Sequence, residues 1–179
     1  MRPESIIPLF DEYLCKQGEA FEAIVVGGAA LAIMGIIQRE TQDCDILDPK
    51  IPDRINAIAK EFANEMNRQG IFLKDNWLNN GPASLRNDLP QGWESHVHEI
   101  YKGRALVLFS LGRADLLKAK IFAFCDREQD RGDCIKLNPS KEELSELKEW
   151  LIGRDGNSGW AGHVEASLRS LAKDLGYEF

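Results

Sequence analysis

Residues 23–49 read AIVVGGAALAIMGIIQRETQDCDILDP, and this stretch limits the folds open to the chain more tightly than any other. Ala23–Val26 is a short, continuous apolar run rich in β-branched residues that stops on two glycines, which suits a buried strand closed by a sharp turn. The Ala, Leu, Ile and Met residues from Ala29 to about Ile37 predict a helix. Cys44–Leu47 predicts a second short strand, closed by Asp48 and Pro49.

Elsewhere the apolar spacing is mostly helical. ESIIPLFDEYLCKQG sets Ile6, Leu9, Phe10, Tyr13 and Leu14 on one face and stops at Gly18. PDRINAIAKEFANEMNRQG does the same with Ile55, Ile58, Ala59, Phe62 and Met66. From Phe72 to Gly103 the pattern is irregular, and WLNNGPASLRNDLPQGW, full of Asn, Gly and Pro, reads as a long loop of the kind that often carries function. Arg104–Leu111 predicts another strand, and RADLLKAKIFAFCDREQD a helix after it. PSKEELSELKEWL opens with a capping box, Ser140 with Glu143, and carries Leu144, Leu147 and Leu151 at helical spacing. HVEASLRSLAKDLG predicts a last helix. Strands and helices therefore mix around a small sheet, giving an α/β (α+β) domain with a helical C-terminal part. The expected organisation is one compact unit, a core over 1–137 that includes the N-terminal helix, with C-terminal helices over 138–179 packed on it.

With 179 residues, 44% of them apolar, the chain is long enough to bury a core of its own. Its 22 basic and 29 acidic residues leave a net charge of −7, which argues against binding nucleic acid or anionic lipid by bulk charge. MRPESIIPLFDEYL has acids and a proline where a secretory leader needs an apolar run, and no stretch approaches membrane-spanning length. The expectation is a soluble, cytoplasmic protein with no membrane partner. Cys15, Cys44, Cys125 and Cys134 lack metal-site spacing and read as reduced, mostly buried thiols. His96 and His98 would share the face of one strand, more plausibly an exposed edge than a metal site.

The chemistry concentrates in the opening stretch. Residues two apart in a strand point to the same side, so Asp43 and Asp45 would project together while Cys44 and Ile46 face the core. Paired carboxylates repel unless a cation lies between them, and a hard divalent ion such as Mg²⁺ (or Mn²⁺) is the usual one. Gly27 and Gly28 would leave backbone N–H groups unobstructed, a cradle for phosphate. Taken singly, Gly-Gly is commonly a tight turn and Asp-x-Asp a surface pair; together they describe a metal and nucleotide-phosphate site.

Gly-Gly after a strand, an apolar helix and then RETQDCDI resemble the nucleotidyltransferase (polymerase beta-like) fold, with a glycine-to-aspartate spacing at the long end of that pattern. The Arg39-x-Thr41-x-Asp43-x-Asp45 form resembles the bacterial branch that includes AbiEii-type toxins and uncharacterised relatives. DLLKAKIFAFCDREQDRGDCIKL is similar to a later segment of the same branch. The resemblance covers most of residues 20–151. It implies a small mixed sheet flanked by helices, with Asp43 and Asp45 holding metal and Gly27, Gly28, Arg39 and Thr41 binding nucleotide; Arg39 could instead simply pair with Asp43 or Asp48. It also assigns Lys120, Asp130 and Asp133 to catalysis and Arg127 to the nucleotide. Lys120 and Arg127 stand seven residues apart and so nearly eclipse on a helix, where cationic groups could stabilise a departing pyrophosphate; ordinary surface ion pairs would look the same. The third carboxylate common in this fold is missing from RALVLFSL, leaving Glu99, Asp130 or Asp133 to supply it.

The implied activity is Mg²⁺-dependent transfer of a nucleoside monophosphate from a nucleoside triphosphate to a hydroxyl on RNA, a protein or a small molecule. The alternative is a catalytically degenerate module of the same fold that binds nucleotide or a partner protein, such as a toxin–antitoxin component. A phosphohydrolase using the same metal pair is a weaker third reading, because no histidine or acid cluster accompanies the aspartates.

Overall fold

The computed structural model describes residues 1–127 and 130–178, and divides the chain into two compact units, Met1–Gly112 and the residues from Arg113 onward. The first unit runs α1 (Pro3–Gln17), β1 (Phe21–Val26), α2 (Gly27–Ile33), β2 (Cys44–Asp48), α3 (Asp53–Arg68), β3 (Leu78–Asn79), two 3₁₀ turns (Ala83–Asn87 and Trp93–His96), β4 (His98–Lys102) and β5 (Leu106–Ser110). The strands form one mixed sheet in the order β3-β2-β1-β5-β4. β1 is parallel to β5 and antiparallel to β2; β3 is parallel to β2, and β4 antiparallel to β5.

One face of this sheet is the core. Ala23 and Val25 of β1, Cys44 and Ile46 of β2 and Leu106 and Leu108 of β5 meet Ile6, Phe10 and Leu14 of α1 and Ile55, Ile58 and Phe62 of α3. Phe10 packs 5.2 Å from Phe62 and edge-on to Trp77 at 5.0 Å, whose indole N–H donates to the Ala59 carbonyl at 3.0 Å. The alternate residues Ile24, Asp45, Val107 and Phe109 stay half-buried on the opposite face. Period-two alternation therefore separates a greasy side from a side free to do chemistry.

Four details depart from the sequence expectations. Leu9 is 38% exposed, and Ile7 takes the buried place it was expected to fill in α1. The helix expected over Ala29–Ile37 lies at Gly27–Ile33, because Gly35 turns left-handed at φ +72° and ends it early. His96 sits in a 3₁₀ turn, so only His98 belongs to the edge strand β4. The long irregular stretch also holds β3 and two 3₁₀ turns that its Asn- and Pro-rich composition concealed.

The second unit comprises α4 (Arg113–Arg127), α5 (Arg131–Leu137), α6 (Lys141–Ile152) and α7 (Trp160–Asp174). The helix expected over 113–130 runs across residues 128 and 129, which lie outside the described residues. Leu116, Leu117 and Ile121 of α4, Leu144, Leu147 and Leu151 of α6 and Val164, Leu168 and Leu171 of α7 are all buried. The capping box forms as spaced: Ser140 Oγ accepts the Glu143 N–H at 3.1 Å, and Glu143 Oε2 accepts the Ser140 N–H at 2.8 Å. Cys44, Cys125 and Cys134 are buried and Cys15 half-buried; burial pushes the Cys125 thiol up to about 11 and the Cys134 thiol up to about 12. Among the described residues no helix is long and apolar enough to cross a membrane.

Candidate active site

The first unit brings six of the sequence-predicted residues onto two adjacent chain segments. Cys44 and Ile46 are wholly buried, so Asp45 between them is turned outward, and Asp43, just ahead of the strand, is half-buried like it. Antiparallel pairing sets Asp45 opposite Val26, the last residue before the glycines. Gly27 has φ +71°, and a Cβ there would stand 2.9 Å from Asp45 Oδ2. A Cβ on Gly28 would stand 3.0 Å from Thr41 Cγ2 and 3.3 Å from Arg39 Nη2. The Thr41 hydroxyl donates to the Asp43 carbonyl at 3.2 Å and its N–H to the Met1 carbonyl at 2.9 Å, fixing the approach to β2.

α2 has seven residues, so its end is not an anion site on its own account; the glycines leave room beside the turn. Gly27 admits a carboxylate and Gly28 a guanidinium against bare backbone, so an anionic and a cationic group converge on one turn.

The long loop flagged in the sequence supplies neighbours of Asp45 that the sequence did not single out by residue. β3 pairs in parallel with β2, with Asn79 opposite Asp45. Asn79 Oδ1 accepts the Gly81 N–H at 2.6 Å, and a Cβ on Gly81 would lie 3.9 Å from Asp45 Oδ1. Asn80 donates to the Ile46 and Pro49 carbonyls at 2.9 and 3.1 Å and accepts the Ile51 N–H at 2.8 Å, clamping the end of β2. The register between β1 and β2 slips by one residue: Val26 faces Asp45 and Val25 faces Ile46, but Ile24 faces Asp48. The extra residue, Leu47, returns Asp48 to the face that carries Asp45. There Asp48 forms an ion pair with Arg86 from the first 3₁₀ turn. The available signal was NNG directly after an apolar Trp-Leu pair.

Lys120, Asp130 and Asp133 come together in the second unit. Lys120 Nζ donates to Asp130 Oδ1 at 2.9 Å and to Asp133 Oδ2 at 2.8 Å, with side-chain exposures of 7, 14 and 4%. Arg127 Nη2 reaches Asp130 at 3.4 Å and is itself largely exposed. Glu99 lies on β4, in register through Phe109 and Ile24 with Asp48. Three strand spacings, about 14 Å, separate Glu99 from β2, and its carboxylate pairs with Lys102 at 3.6 Å.

Asp43 and Asp45 offer hard oxygen donors beside a glycine turn, a donor set that fits Mg²⁺ or Mn²⁺ better than a softer metal. Among the described residues no group of three or more His, Cys, Asp or Glu converges to hold a metal ion. A cation here would keep most of its coordination sphere for water and phosphate oxygens, as Mg²⁺ commonly does.

A family model described as a nucleotidyltransferase of unknown function (DUF6036) matches residues 5–143. The chain belongs to that family, and membership implies nucleotidyl transfer from a nucleoside triphosphate in general terms. No curated protein and no solved structure matches the chain.

Proposed function

We propose that this nucleotidyltransferase-family protein binds a nucleoside triphosphate together with Mg²⁺ (or Mn²⁺) on its first unit and transfers the nucleoside monophosphate to a hydroxyl acceptor. The observation that carries the reading is the convergence of Asp45, Arg39 and Thr41 on Gly27 and Gly28. Asp43 and Asp45 hold the cation, which when bound withdraws charge from the phosphate oxygens. Gly27 and Gly28 let the phosphates approach the backbone, and Arg39 offers a planar fork of donors to them. The acceptor oxygen forms a bond to the α-phosphorus as the bond to the β-phosphate oxygen breaks; pyrophosphate leaves and the hydroxyl proton passes to water. The acceptor is RNA, a protein side chain or a small molecule, and a place in the AbiEii-type branch with a partner protein belongs to the same proposal.

A second reading has an observation in its favour. β5 presents Val107 and Phe109, not an acid, on the site face, so a module that binds nucleotide without turning it over is the competitor. Incubating the protein with each α-labelled nucleoside triphosphate, Mg²⁺ and total cellular RNA, beside an Asp43→Ala/Asp45→Ala variant, separates them. Label on RNA or protein that the variant fails to produce supports transfer. Mg²⁺-dependent nucleotide binding with no transfer to any acceptor supports the binding module.

A further inference from the structure

We propose that Arg86 is a phosphate-binding residue of this site, and that the segment Asn79–Asn87 forms its second wall; the inference rests on the nucleotide reading of Asp43 and Asp45. Three independent features place this segment along the acid-bearing strand. Asn79 is in register with Asp45, Gly81 lies beside it with its N–H bonded to Asn79 Oδ1, and Arg86 grips Asp48. The slipped register turns Asp48 toward the same face as Asp45, with the partner residues Ile24 and Val26 two positions apart, about 7 Å along the strand. The guanidinium is therefore delivered to the catalytic face, one pleat from the proposed metal site.

Its chemistry suits an anion better than a purely structural bond. A guanidinium has five N–H donors in a fixed fork. Among the described residues the bond to Asp48 uses only Nη1, and the Arg86 side chain remains 46% exposed. Asp48 acts as a tether that orients the fork while leaving its other edge for phosphate oxygens. Arg39, at Gly28, and Arg86, at Asp48, would then bracket a triphosphate from opposite sides of Asp45.

The test measures binding of ATP, GTP, CTP and UTP and of the matching nucleosides to the intact protein in Mg²⁺, by calorimetry, for wild type, Arg86→Ala, Arg86→Lys and Asp48→Asn. Loss of one charge-assisted contact predicts a roughly ten- to hundredfold weaker triphosphate for Arg86→Ala, with nucleoside binding unchanged and Arg86→Lys intermediate. Asp48→Asn removes the tether's charge and keeps the fork, so its triphosphate affinity stays within a few-fold of wild type. Wild-type affinity in Arg86→Ala, or an equal loss in Asp48→Asn and Arg86→Ala, overturns the role of Arg86 and leaves the metal site standing. Absence of Mg²⁺-dependent triphosphate binding in wild type overturns the nucleotide reading itself, and this inference with it.

Discussion

Asp45 Oδ2 stands 2.9 Å from the point that a Cβ on Gly27 would occupy, and Gly27 holds its backbone at φ +71°. Both facts disfavour a side chain. Gly27→Ala should cost about 1–2 kcal/mol from the left-handed backbone alone and push the carboxylate off its position. Thermal unfolding and Mg²⁺ titration should both register the change. Gly28→Ala meets the movable end of Arg39 as well as the Thr41 methyl, and should damage nucleotide binding more than stability.

Asp11 carries a pH dependence. Its carboxylate accepts the N–H groups of Arg104, Ala105 and Leu106 at 3.1, 2.8 and 2.7 Å. Burial pushes its pKa up, but the three backbone bonds and the Arg104 charge outweigh this and hold it below the ordinary 3.8. A depressed folded-state pKa means the stabilisation is complete above 3.8 and fades as pH falls through the folded value. Asp11→Asn should cost about 1–3 kcal/mol in urea unfolding at pH 7, and the gap to wild type should narrow below pH 3.8.

Lys120 is buried between two carboxylates, and that placement predicts a structural signature for its loss. Lys120→Met would remove the cation that Asp130 and Asp133 share, leaving Arg127 at 3.4 Å from Asp130, at a cost of about 3–5 kcal/mol. Urea unfolding of the variant beside wild type at pH 7 measures that deficit. A role confined to contacting triphosphate would instead leave stability unchanged and weaken only nucleotide binding.

At the start of α6, Ser140→Ala should cost about 1 kcal/mol by removing one half of the capping box, and Ser140→Thr should restore most of it. Chemical denaturation of the three proteins checks both values.

Much of the candidate site's geometry was legible because it depends on short-range rules. Gly27, Gly28, Asp43 and Asp45 announce themselves through a turn residue at a strand end and a period of two. Asn79, Asn80 and Arg86 did not, because their importance lies in bonds to residues about thirty to forty positions earlier, and composition there records only an irregular chain. Asp48 was hidden by the extra residue at Leu47: strict alternation puts residues 45 and 48 on opposite faces, and only the pairing with β1 reverses that. The Lys120 group was legible as a set of residues, but their burial as a mutual ion cluster depends on how α4 and α5 pack.

β1 lies at the centre of its sheet, yet its parallel neighbour β5 arrives some eighty residues later, and Asp11 waits more than ninety for residues 104–106. A chain emerging from the ribosome would therefore carry Gly27, Asp43 and Asp45 exposed and unplaced until about residue 110 had been made. Such distant pairing slows folding and prolongs the life of open strand edges. The candidate site would be among the last parts of the first unit to take shape, so unfinished chains would be poor binders of any ligand it takes.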